Sequence, residues 1–273
     1  MQSSLQSKNS KTMTTAKEII DLMLEMKNDN QKQILTRFFK TGKGEYGEGD
    51  KFIGMKVPQT RAVVKEARLE TPLEEIEKLL LSEWHEVRLC GLLLLVEEMK
   101  VALPKPTTKQ NTKSIYDTDV SKAIRRKTIV DFYLQYTHQV NNWDLVDLSC
   151  GAIIGEWLLY PLEDGSMPSH EILDTLAKSK NLWEQRIAII STISLIRNFQ
   201  YDDTLRIATR LLSHPHDLIH KAVGWMLREV GKRDIDTLRS FLLQYHHVMP
   251  RTTLRYAIER MEASERMHWM KKK

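Results

Sequence analysis

Asn181-Leu182-Trp183-Glu184-Gln185-Arg186-Ile187-Ala188 opens with polar residues, runs to a charged residue and then turns apolar, and three other stretches of the chain repeat that layout. They are Glu83-Trp84-His85-Glu86-Val87-Arg88-Leu89-Cys90-Gly91-Leu92, Asn142-Trp143-Asp144-Leu145-Val146-Asp147 and His216-Asp217-Leu218-Ile219-His220-Lys221-Ala222-Val223. Their charged positions, Arg88, Asp147, Arg186 and Lys221, stand about 59, 39 and 35 residues apart, and the long first gap contains an insertion. This is the spacing of HEAT-like helical pairs. Such units cannot bury an apolar face alone. The expected fold is therefore all-α, a curved solenoid of HEAT-like antiparallel helical pairs whose inner helices present equivalent positions along one concave surface. Arg88, Arg186 and Lys221 would line a groove suited to a phosphate backbone. Asp147 is the exception, an anion where the repeat supplies cations, and since it would repel phosphate it should contribute something else.

Outward from these segments the periodicity stays helical, with no convincing alternating strand. Thr15-Ala16-Lys17-Glu18 fits a capping box that opens a helix to about Met26, and a second helix covers about Gln31 to Lys40. Gly42-Lys43-Gly44-Glu45-Tyr46-Gly47-Glu48-Gly49-Asp50 lacks the Gly-Lys-Ser/Thr ending of a nucleotide loop and reads as a turn between helices. Pro58 starts a helix to about Arg68, Thr71-Pro72 starts another, and His85 to Lys100 forms a third. The organisation expected is a disordered tail at 1–13, one HEAT-like repeat domain over 14–263 interrupted by an exposed loop at 104–118 that carries Lys105, Lys109 and Lys113, and a basic tail at 264–273.

Composition narrows the function classes. Lys and Arg total 41 against 36 acids in 273 residues, a net charge of +5 that leans toward polyanions without demanding one. Cys90 and Cys150 each lie in an apolar helical run, so two buried, reduced thiols are expected and a cytoplasmic chain with them. No apolar run approaches the ~20 residues of a membrane span, and Met1-Gln2-Ser3-Ser4-Leu5 lacks a signal-peptide core, so no membrane association is expected. His138, His246 and His247 are not at ligand spacing, and no metal or other cofactor is expected.

Two tryptophan segments carry the chemistry. Trp143 and Asp147 stand four residues apart, which places an indole and a carboxylate on one helix face. In Ala222-Val223-Gly224-Trp225-Met226-Leu227-Arg228-Glu229, helical phase of ~100° per residue puts Trp225 beside Lys221 and Arg228, opposite Ile219, Ala222, Val223, Met226 and Val230. An aromatic ring on a cationic surface serves binding better than folding. Asp144, in the first turn, reads as a capping or dipole residue. Trp84, Trp157 and Trp183 read as packing residues. Arg186 admits either an inter-repeat salt bridge or a phosphate contact, and its equivalence with Arg88 and Lys221 favours phosphate.

Taken in order, Trp143-Asp144-Leu145-Val146-Asp147, Leu182-Trp183-Glu184-Gln185-Arg186 and Gly224-Trp225-Met226-Leu227-Arg228-Glu229 resemble the AlkD-type DNA alkylation-repair glycosylases, and Phe52-Ile53-Gly54-Met55-Lys56-Val57-Pro58 resembles that family's glycine-to-proline helix entry. The resemblance runs from about Lys17 to Arg260. It implies a HEAT-like solenoid that excises cationic 3- or 7-alkylated purines from duplex DNA without a deep base pocket. It also implies that Asp147 is catalytic, that Trp143 and Trp225 contact the lesion, and that Arg186 grips the DNA backbone. Lys221, Arg228, Arg88 and Lys56 join the expected backbone contacts. The insertion at 104–118 and the cation at Lys56 depart from the family's pattern.

The chemistry agrees. A ring-alkylated purine already carries positive charge and leaves neutral, so a fixed carboxylate need only steady the oxocarbenium ion and orient water. Indole faces add roughly 0.5 to 2 kcal/mol for a cationic base. No lysine stands at the motif to form a Schiff base, so an abasic product without lyase activity is expected. The expected partner is duplex DNA bearing alkylated bases, bound by a monomer, in the cytoplasm and at the nucleoid. A non-catalytic binder of duplex or branched DNA, or a protein scaffold, would use the same fold.

Overall fold

The computed structural model describes residues 13–104 and 119–271. Residues 1–12 of the tail expected at 1–13, residues 105–118 of the loop expected at 104–118 with its three lysines, and Lys272 and Lys273 lie outside the described residues. Among the described residues there are fourteen α-helices and no strand, only an isolated bridge between Lys51 and Trp84. The all-α expectation therefore holds. The chain groups into two compact units that divide between Glu97 and Glu98.

The first unit contains α1 (Ala16–Glu25), α2 (Asp29–Phe38), α3 (Val57–Ala67), α4 (Leu73–Leu80) and the start of α5 (His85–Ala102). The capping box forms as read: Thr15 Oγ1 accepts from the Glu18 amide and Glu18 Oε2 accepts from the Thr15 amide. The glycine-rich stretch is a turn, and its amides are spent internally: Gly42 N–H donates to Glu45 and Gly44 N–H to Glu48, both at 2.8 Å. Phosphate would find those donors occupied. The entry to α3 is held by Glu86, a buried carboxylate that accepts from the amides of Ile53 (2.9 Å), Gly54 (2.8 Å) and Met55 (3.0 Å). Satisfying three buried N–H groups with one anion is strong, charge-assisted bonding. Gly54 is required there, because its φ is +100° and a Cβ would stand 2.1 Å from the Asn28 carbonyl oxygen.

The second unit contains α6 (Val120–Gln135), α7 (Trp143–Asp147), a π-helical turn at Gly151–Gly155, α8 (Glu171–Lys178), α9 (Leu182–Arg197), α10 (Asp202–Leu211), α11 (Asp217–Gly231), α12 (Ile235–Tyr245), α13 (Arg251–Ala257) and α14 (Ala263–Met270). The helices fall into two rows. The π-helical turn, α9, α11 and α13 pack successively on one another, while α8, α10 and α12 lie outside them and fill between. The sequence explains the division. α9 is apolar nearly all round, burying an unbroken run from Arg186 to Ile196, so it can only be interior. α10 buries only Thr204, Ile207, Ala208 and Leu211, a narrow stripe that suits an outer helix. In α11 the predicted apolar side, Ile219, Ala222, Val223, Met226 and Val230, is buried as expected.

The basic tail expected from 264 is instead helix α14. Trp269 anchors it, 7 % exposed and 5.4 Å from the His246 ring, and the Arg251 guanidinium donates to the Met270 carbonyl at 2.9 Å. The lysine run masks one large aromatic, whose burial fixes the helix. No helix among the described residues is long and apolar enough to cross a membrane.

Candidate functional site

The site begins with a five-residue helix. Asn142 is buried and caps α7, its side-chain oxygen accepting from the Trp143 amide at 2.9 Å. That start places half-buried Trp143 in the first turn and Asp147 at the helix end, one turn on along the same helix, where its side chain is 14 % exposed. Asp144 lies buried between them with Oδ1 accepting from the Leu145 amide at 2.9 Å, consistent with the capping role read from the sequence.

Asp147 does not stand alone. Arg186 of α9 clamps it with two parallel bonds, Nε to Oδ1 at 2.9 Å and Nη2 to Oδ2 at 2.8 Å, and the remaining guanidinium nitrogen, Nη1, donates to the Leu218 carbonyl at the start of α11 at 2.6 Å. One guanidinium therefore ties together α7, α9 and α11, the helices that carry Trp143, Arg186 and Trp225. This bidentate geometry is the strong form of the ion pair. Burial is the largest influence on the Asp147 carboxyl and pushes it above its ordinary value of 3.8; Arg186 pulls it back, and the neighbouring Asp144 charge adds to the rise. A carboxylate offers about four lone-pair positions, of which the clamp uses two, so acceptor capacity remains on both oxygens.

Four of the five cations expected at the DNA backbone have carboxylate partners within the protein. Arg88 is 4 % exposed and paired with Asp50, whose side chain is 2 % exposed, and donates to the Ser82 carbonyl at 3.0 Å. His85 Nδ1 meets the other Asp50 oxygen at 2.7 Å. Burial opposes ionisation of Asp50, but His85 and Arg88 outweigh it and hold the carboxyl below its usual range. Arg88 thus braces the first unit's core and is not displayed to a ligand. Arg186 is 5 % exposed and has each of its three nitrogens engaged within the protein, which favours the salt bridge the sequence left as its second reading. Arg228 is paired with Glu259 and 17 % exposed. Lys221 is 42 % exposed and pairs with Asp217 at 2.8 Å. Lys56, in the first unit, is exposed, its amide donating to Gln59 Oε1 at 2.8 Å.

Trp225 is half-buried on α11 as phase predicted. Its position depends on Gly224, where a Cβ would stand 2.6 Å from the Thr253 carbonyl, so α13 can approach α11 only because that side chain is absent. Trp157 and Trp183, 9 % and 8 % exposed, are packing residues as read. Trp84 is only half-buried, with the Lys32 ammonium 5.8 Å above its ring. Two groups beside the clamp are not marked by the repeated motif: the Leu218 carbonyl and the His216 cap that begins α11. A backbone acceptor leaves no mark in a sequence, whereas a histidine just before an apolar periodic run is a legible cap signal.

The family described as DNA alkylation repair enzyme matches residues 19–261. Among solved structures, the chain is similar to a predicted DNA alkylation repair enzyme from Enterococcus faecalis, with 15% sequence identity, a TM-score of 0.59, and coverage of 93% of this chain and 100% of that one. At that identity the likeness speaks to the fold alone. No curated protein matches the chain.

Proposed function

We propose that this chain, which belongs to the DNA alkylation repair enzyme family, is a monofunctional DNA glycosylase that excises cationic 3- or 7-alkylated purines from duplex DNA and leaves an abasic site. The observation that carries this reading is the Asp147 carboxylate, mostly buried yet not closed off, fixed by a two-point clamp and set on the same short helix as a half-exposed indole. Such a group needs no reorganisation to face developing positive charge.

As the glycosidic bond lengthens, the alkylated base takes the bonding pair and departs neutral, and the sugar becomes an oxocarbenium ion. Asp147 steadies that cation through a lone pair the clamp leaves unused. It also accepts a hydrogen bond from the water that attacks the anomeric carbon. Arg186 holds the carboxylate in place and keeps it ionised against burial. Trp143 and Trp225 present π faces to the cationic nucleotide and so favour charged lesions over ordinary purines. Lys221 and Lys56, the exposed cations among the expected contacts, meet phosphate. The protein acts as a monomer on DNA.

The test is release of 7-methylguanine or 3-methyladenine from methylated duplex DNA. Wild-type protein releases base, and Asp147→Asn retains DNA binding while the rate falls on the order of a hundredfold. Equal release by wild type and Asp147→Asn would remove the carboxylate from the mechanism. Binding without release by wild type would leave a non-catalytic DNA binder.

A further inference from the structure

Three histidines crowd the turn that leads into α11. His216 is the N-cap, and its Nδ1 accepts from the Leu218 amide at 3.1 Å. His214 Nδ1 accepts from the His216 amide at 3.0 Å, and His220 reaches the His214 carbonyl through Nε2. Because an imidazole nitrogen that accepts from a backbone N–H is unprotonated, His214 and His216 are held in the neutral form with the proton on Nε2. An N-cap built this way differs from Asn181 of α9 or Asn142 of α7, whose caps do not titrate near neutrality.

The residue that His216 caps through its amide is the residue that holds Arg186 through its carbonyl. Leu218 N–H donates to His216, Leu218 C=O accepts from Arg186 Nη1 at 2.6 Å, and Arg186 grips Asp147. We propose that His216 is a positioning residue for Asp147: in its neutral form it seats the first turn of α11 so that Leu218 completes the Arg186 clamp, and protonation of Nδ1 sets two N–H donors face to face and releases it. This rests on the reading of Asp147 as the catalytic group.

The surroundings favour the neutral form. Burial depresses the His216 imidazole below 6.5; Asp217 opposes this, while His220, Arg186 and Lys221 add to it. Arg186 faces it from α9, Asp217, His220 and Lys221 from α11 itself, and His214 from the preceding turn. With a folded value below the unfolded one, the cap's contribution is present above pH 6.5 and is lost as pH falls through that value toward the depressed one.

The experiment compares wild type, His216→Asn and His216→Ala in base release across pH, with protein-free controls. Asparagine caps a helix without titrating in this range. His216→Asn keeps the wild-type rate at pH 7.5, and its acid limb moves to lower pH. His216→Ala loses roughly fivefold at pH 7.5, and asparagine at the same position restores it. Coincident acid limbs in wild type and His216→Asn, with base release intact in both, overturn the proposal and leave the function standing. A second readout needs no turnover: the Arg186 Nε–H resonance shifts as His216 titrates in wild type and stays fixed over that range in His216→Asn. A shift in both, or in neither, also overturns the proposal, even if wild type released no base.

Discussion

A carboxylate buried to the extent of Asp147 would drift toward its neutral form unless something held it charged, and Arg186 is what holds it. Removing that arginine leaves a buried anion without a partner, so Arg186→Ala should cost about 3 kcal/mol in urea denaturation, and Arg186→Lys should not recover it, since an ammonium cannot reproduce three directed bonds. A loss below ~1 kcal/mol would mean the clamp is not structural. The same geometry separates arginine from lysine on DNA. Lys221→Ala should lower the slope of log affinity against log salt by about 0.9, the value for one phosphate, whereas Arg186→Ala should leave the slope unchanged. A reduced slope for Arg186→Ala would return that residue to the backbone contacts. Base release requires ionised Asp147, whose carboxyl lies above 3.8. In His216→Asn the remaining acid limb should therefore fall away above pH 3.8 as the carboxyl gains its proton, and a limb at or below 3.8 would contradict the burial effect.

Among the elements, the entry to α3 makes the sharpest demand on sequence. Gly54 needs a left-handed backbone and has the Asn28 carbonyl where a Cβ would go, so Gly54→Ala should destabilise the protein by roughly 2 kcal/mol or more. Urea denaturation checks this, and a change within ~0.5 kcal/mol would show that the segment shifts freely. Glu86, which binds three amides of that segment, sits in one of the four similar stretches of sequence. Helix starts were legible because capping is local: Thr15 with Glu18, and Pro58 with the start of α3, are read within four residues. The destination of Glu86 was not, since its partners lie more than thirty positions away.

At the scale of the molecule, each compact unit carries its own core and its own buried thiol, Cys90 in the first and Cys150 in the second, both free and both pushed up to about 12 by burial. Neither should react with a thiol-specific reagent at pH 8 in the native protein. Each should react at a rate set by opening of its own unit, read separately in Cys150→Ser and Cys90→Ser variants. Rapid labelling of either native thiol would show an open core.

By itself the sequence determined the all-helical class, the buried face of α11, the pairing of Trp143 with Asp147 on one short helix and the burial of both cysteines, because each depends on periodicity or on neighbours within one or two turns. Tertiary structure alone decided what the charges do. Arg88, Arg186 and Lys221 stand at matching places in similar stretches of sequence, yet the two arginines are buried against Asp50 and Asp147 while the lysine remains partly open to solvent. Ion pairs form between residues 38 and 39 positions apart only when the chain folds back to bring distant segments together. Equivalence along the chain carries no record of which anion the fold brings to meet each cation.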